Sequence, residues 1–138
     1  MADEPAHLAT AVLVLANLPG GGPAWSAGYA AGAVAVDTDH LPLIPRRHKL
    51  GTSDPRPAAH TLLTPAGVAT AAAFTRPPAR ELLLGLAAGT CVHFVRDIAT
   101  GTGLAALQPL TRRRVKLPRR AYDIAMTLLA LRVLAPDS

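Results

Sequence analysis

"ARELLLGLAAGTCVHFVRDIAT", Ala79 to Thr100, decides the fold. Its prolines lie just ahead, in "TRPPARE" (Thr75–Glu81), where they suit the entry to a helix. Gly101 and Gly103 follow directly and end it. The spacing therefore predicts a helix over 79–100. Its last turns carry "HFVRD", and residues four apart on a helix share a face, so His93 and Asp97 can bind one ion together.

Working outward, the same signals predict four more helices and one long loop. Glu4–Leu18 reads as a first helix, ended by the Pro/Gly cluster Pro19–Pro23. Trp25–Val36 is an Ala- and Gly-rich second helix that stops at Asp37, Asp39 and the prolines Pro42 and Pro45. Arg46–Pro57 is a polar, exposed loop, and His48 within it is incidental. His60–Phe74 reads as a third helix in which Thr64-Pro65 marks either a kink or a late start. Arg119–Leu134 is the last helix, with Tyr122, Ala125, Met126, Leu129 and Val133 at helical spacing as its core face. No internal repeat is present. The expected architecture is all-α, a single domain over 1–138 built as a compact bundle of four to five helices around a His/Asp metal site.

Composition agrees. The chain has 138 residues, 50 % of them hydrophobic, enough for one real core. Aromatics make up only 4 %, and the abundance of small aliphatic residues favours close-packed helices over aromatic-rich strands. The net charge of +5 is concentrated in "RRRVKLPRR", Arg112–Arg120. Such a run is either a solvated loop or a contact for anionic lipid headgroups or nucleic-acid phosphate, with Arg112, Arg113 and Arg114 as the anion-binding candidates. The single cysteine, Cys91, excludes an internal disulfide and a Cys-based zinc finger, and its apolar surroundings suggest a small core residue.

The N-terminus opens acidic, "MADEPAH", so no signal peptide is expected. Leu8–Val36 holds no charge, but "LPGGGP" divides it into pieces shorter than the roughly 20 residues a span requires. "HTLLTPAGVATAAAF" and "LLLGLAAGTCVHFV" are also short, and each contains a histidine. The core of a soluble bundle and a position within a membrane both remain open on these grounds.

The chemistry lies in the histidines and aspartates. Charge in an apolar setting must be paired, protonated or bound to a metal. Asp37, Asp39 and His40 lie between apolar runs, His7 lies in the first helix, and His60 opens the third. Nitrogen and oxygen ligands without thiolate suit Zn²⁺, Mn²⁺ or Fe²⁺. Two such sites side by side would fit two-metal hydrolysis. An EF-hand beginning at Asp37 fails, because its glycine position is Pro42 and its glutamate position is His48. A dehalogenase-type or glycosyltransferase DxD needs a larger α/β core than this chain affords. No Walker loop, dinucleotide fingerprint or nucleophile elbow is present.

The order "PAHLATAVLVL", "VDTDHLPLI", "RPAAHTLLT", "GTCVHFVRDIATGTGLAALQPLTRRRVKLP" resembles the bacterial inner-membrane metal-dependent hydrolase family whose best-known members are LexA-regulated. The family's last block, G-x-x-x-H-x-x-x-D-x-x-T-x-x-G before a proline and a basic stretch, is met by Gly89, His93, Asp97, Thr100, Gly103 and Pro109. The chain departs from the pattern at Val36, where the family has proline, and at Pro55–Pro57, where it has H-R-G. More distantly, the spacing is similar to the zinc-dependent phospholipase C and single-strand nuclease group, an all-α fold.

The resemblance implies one ion held by an aspartate of the Asp37/Asp39 pair with His60, His93 and Asp97. It implies a second ion held by His7 and a bridging Asp97. The remaining aspartate of the pair would then act on the attacking water, while His40 and Thr100 hold ligands in place. The expected activity is zinc-type phosphoester hydrolysis on a lipid or other phosphoester substrate, in the inner membrane or cytoplasm of a bacterium. The competing expectation is a non-catalytic helical protein that binds anionic lipid or nucleic acid through residues 112–120.

Overall fold

Gly28 and Gly32 on one helix, and Gly85 and Gly89 on another, recur at intervals of four residues, which lines each pair up on one helix face. A Cβ on Gly28 or Gly32 would run into the carbonyl oxygen of Leu82 or Leu86. In return, a Cβ on Gly85 or Gly89 would run into the carbonyl oxygen of Trp25 or Tyr29. The two helices thus meet backbone to backbone, as small-xxx-small pairs allow. Residue numbers rise together along the contact, so the two helices run parallel.

The computed structural model describes residues 4–18, 21–38, 59–100, 103–111 and 113–135. Within them run α1 (Glu4–Ala16), α2 (Pro23–Ala35), α3 (Leu63–Ala73), α4 (Ala79–Thr100) and α5 (Arg119–Leu134). The glycine seam joins α2 to α4. α1 lies antiparallel to α2: His7 stacks on His93 near the end of α4, while the Tyr29 hydroxyl donates to the Ala11 carbonyl at 2.9 Å. α5 follows α1, since Tyr122 meets Thr10 and the Asn17 amide donates to the Leu129 carbonyl at 3.2 Å. α3 leaves from His60 beside the end of α4 and returns to the start of α4 through 74–78. Successive helices therefore alternate in direction, and one end of the bundle collects the C-termini of α2 and α4 with the N-termini of α1, α3 and α5.

The all-α expectation holds, with α4 and α5 bounded where the sequence places them. Among the described residues no strand forms, and Leu104 and Val115 make one antiparallel bridge. Gly103 makes that bridge possible. Its φ of 87° suits glycine, and a Cβ there would sit 2.7 Å from the Val115 carbonyl oxygen. α3 begins late, with Pro65 in its first turn, where a missing N–H costs no helical bond.

Three expectations are corrected. Cys91 is exposed, because it lies off the α2-facing seam of α4. α5 buries no residue: Tyr122, Met126 and Leu129 are half-buried, while Ala125 and Val133 are exposed, because only its inner edge touches α1 and α4. The short apolar runs understate α4, whose 22 residues are long and apolar enough to cross a membrane.

Candidate metal centre

The seam ends where α2 runs out of hydrogen bonds. The last four carbonyls of a helix have no intrahelical partner, and that of Ala33 accepts from His93 Nδ1 at 2.9 Å. Because a carbonyl only accepts, a proton sits on Nδ1, which leaves Nε2 as the nitrogen turned inward. His93 Nε2 is buried without a hydrogen-bond partner.

Carboxylates surround it. The chain leaves α2 through a helical turn over 36–38, which brings Asp37 Oδ1 to 3.5 Å from Nε2 of both His93 and His60. One turn along α4, Asp97 Oδ2 lies 3.5 Å from His93 Nε2 and 3.8 Å from His60 Nε2. Its other oxygen, Oδ1, lies 3.5 Å from His7 Nε2, so Asp97 turns one oxygen toward each side. His7 stacks on His93 with ring centroids 4.0 Å apart, and His60 meets His93 edge-on at 5.6 Å. Two sets place one ligand atom per residue within 4.8 Å of one another: His7, Asp37 and His93, and His60, His93 and Asp97.

These contacts are long for hydrogen bonds. They match another spacing. Two ligand atoms that share a tetrahedral ion at 2.0–2.2 Å lie roughly 3.4 Å apart. As ligands, imidazoles bind through a neutral nitrogen and carboxylates as anions, so this set would balance the charge of one divalent cation. The donor set, all nitrogen and carboxylate oxygen, fits such an ion.

The electrostatics prepare the same residues. Burial opposes the charge on Asp37, but His60 and His93 outweigh it and hold the carboxyl well below the usual range, so Asp37 stays ionised. Burial, and then His93, hold the His7 imidazole below its ordinary 6.5 against the pull of Asp97 and Asp37. His7 is therefore neutral at neutral pH.

The surrounding loops fix the geometry. The Thr61 hydroxyl donates to the Ala106 carbonyl at 2.9 Å, and the Leu62 amide donates to the same oxygen at 2.9 Å, which ties the His60 turn to the 103–111 loop. Val36, Phe94, Leu104 and Ala106 pack together beneath it. Arg96 donates to the Tyr122 hydroxyl at 3.4 Å, and Tyr122 bonds to Thr10, whose own proton goes to the Ala6 carbonyl at 2.8 Å. That chain links α4, α5 and α1 next to His7.

Of the residues expected at the site, His7, Asp37, His60, His93 and Asp97 converge. Thr100 donates its hydroxyl to the Arg96 carbonyl of its own helix at 2.9 Å, not to any of the five. Arg113 and Arg114 are exposed at this end of the bundle. Asp39, His40 and Arg112 lie outside the described residues, as does the Arg46–Pro57 loop. Sequence reasoning missed Ala33, whose contribution is a backbone carbonyl and leaves no trace in residue type. It also took Tyr122 for a core residue, although a tyrosine one turn past "PRR" offers a hydroxyl worth placing.

No curated protein and no solved structure matches the chain. A family model described as YdjM inner membrane protein matches residues 5–136, and α4 supplies a helix fit for that setting. The chain belongs to the YdjM inner membrane protein family.

Proposed function

We propose that the chain is a membrane-associated, metal-dependent hydrolase of phosphoester bonds, with Zn²⁺ as the first choice of ion. The observation that carries this reading is the set of 3.5–3.8 Å contacts among His7, Asp37, His60, His93 and Asp97 around an unpartnered, buried His93 Nε2. His60, His93, Asp37 and Asp97 would hold one ion, and His7 with the outer oxygen of Asp97 would hold a second. A divalent ion in such a set activates water near neutral pH and polarises a phosphoryl oxygen. With Asp37 as a ligand, Asp39 would orient the attacking water and take its proton. Arg96, whose charge helps hold His7 neutral, would add positive charge near the developing phosphoryl charge.

The test is turnover of a chromogenic phosphodiester by detergent-solubilised protein reconstituted with Zn²⁺ or Mn²⁺. Cation-dependent hydrolysis that disappears in Asp97→Asn is expected. Fully loaded protein that hydrolyses neither phosphomonoester nor phosphodiester would overturn the reading.

A further inference from the structure

The two ends of the bundle carry very different charge. α4 is preceded at close range by Arg76 and holds Arg80 in its first turn. Its other end is followed within 20 residues by Arg112, Arg113, Arg114, Lys116, Arg119 and Arg120. The connector at the opposite end between α1 and α2, residues 17–22, has no charge at all. Short cytoplasmic loops of inner-membrane proteins collect Lys and Arg, and this bias sets orientation.

α5 repeats the gradient in detail. It begins with the exposed Arg119 and Arg120, the first of which lies 3.8 Å from Asp123 one turn on. Exposed Ile124, Leu128 and Leu131 then continue along one face. A basic first turn followed by an apolar face matches anionic headgroups followed by acyl chains.

We infer that the His/Asp end of the bundle faces the cytoplasm, and that Arg113, Arg114, Lys116, Arg119 and Arg120 bind the anionic phosphate headgroups of the cytoplasmic leaflet. α4 crosses with its N-terminal end outward; at about 33 Å it matches a hydrocarbon core of about 30 Å. If the site is the hydrolase centre proposed above, its substrate arrives from the cytoplasmic side; the orientation itself does not depend on that reading.

Single-cysteine labelling tests it, in the full chain in its own membrane and in a Cys91→Ser background. Phe74 (86 % exposed) marks the outer end and Leu110 (79 % exposed) the site end. A membrane-impermeant maleimide should label Phe74→Cys in intact cells and Leu110→Cys only after the membrane is opened. The reverse pattern, or the same pattern at both positions, overturns the orientation. Changing the five basic residues together to Gln should expose Leu110→Cys to the reagent in a substantial fraction of molecules. An unchanged pattern would remove the headgroup contact as the determinant. The labelling needs neither bound metal nor turnover, so it stands or falls apart from the hydrolase reading.

Discussion

The α2–α4 seam and the His/Asp cluster at its end are one helix pair solved in two opposite ways. Along the seam, contact is made by removing side chains: Gly28, Gly32, Gly85 and Gly89 bring the backbones together, and any added atom meets a carbonyl oxygen. At the cluster, contact is made chiefly by side chains, and those around His93 Nε2 stand 3.5–3.8 Å apart, longer than ordinary hydrogen bonds. Buried His93 Nε2 lies 3.5 Å from two carboxylate oxygens. The seam is complete in itself, whereas the cluster has the spacing that a cation would fill. The rigid pairing also explains why the cluster can form, since Ala33 reaches His93 only if the backbones touch.

Breaking the seam should have the largest effect. Gly89→Val drives two methyl groups into the Tyr29 carbonyl, and overpacking of this kind costs about 3 kcal/mol or more. We expect loss of cooperative thermal unfolding in detergent together with loss of metal. Retention of both would show that α2 and α4 can separate without harm. Filling the cluster comes next. A cation that binds only the folded chain at a thousandfold excess over its Kd stabilises by about 4 kcal/mol. Chelation should therefore lower the unfolding midpoint in the intact protein and leave it unchanged in His93→Ala.

Acid should act on the cluster and spare the seam. In the metal-free chain the folded pKa of His7 lies below 6.5, so its contribution to stability is complete above that value and is lost as pH falls through it. The lowered pKa of Asp37 has the same sign, with loss beginning below its ordinary 3.8. Urea midpoints should thus fall as the pH drops below 6.5 and fall further below 3.8. His7→Gln should flatten the first step; a midpoint that rises on acidification would contradict this account. The smallest effect belongs to Tyr122→Phe, which removes the hydroxyl between Arg96 and Thr10 at about 1 kcal/mol. Metal affinity should weaken only slightly, as read by competition with a chromogenic chelator.

Much of the cluster was legible in the sequence because its parts violate the local background. His93 and Asp97 share a helical face, and His7, His60 and Asp37 are polar interruptions of apolar runs. The seam was far less legible. Glycine in an apolar helix carries no direction, and the partnership of α2 with α4 spans more than fifty residues, so only the assembled fold shows that the two glycine pairs face each other. Cys91 illustrates the same blindness: on a helix whose buried face is set by glycines, apolar neighbours do not tell which side is inside. α5 misled in the other direction. Its periodic apolar residues resemble a core face, yet Ile124, Leu128 and Leu131 are exposed, as suits a chain of an inner-membrane family.

Cobalt substitution tests the central claim most directly, because a d–d spectrum reports how an ion is held without reference to any substrate. Protein purified in detergent and loaded with Co²⁺ should show the intense visible absorption of a low-coordinate nitrogen and oxygen site. That absorption should vanish in Asp37→Asn and in His60→Gln while the helical fold persists. The weak spectrum of hydrated Co²⁺, identical in wild type and variants, would mean that the five residues hold no ion.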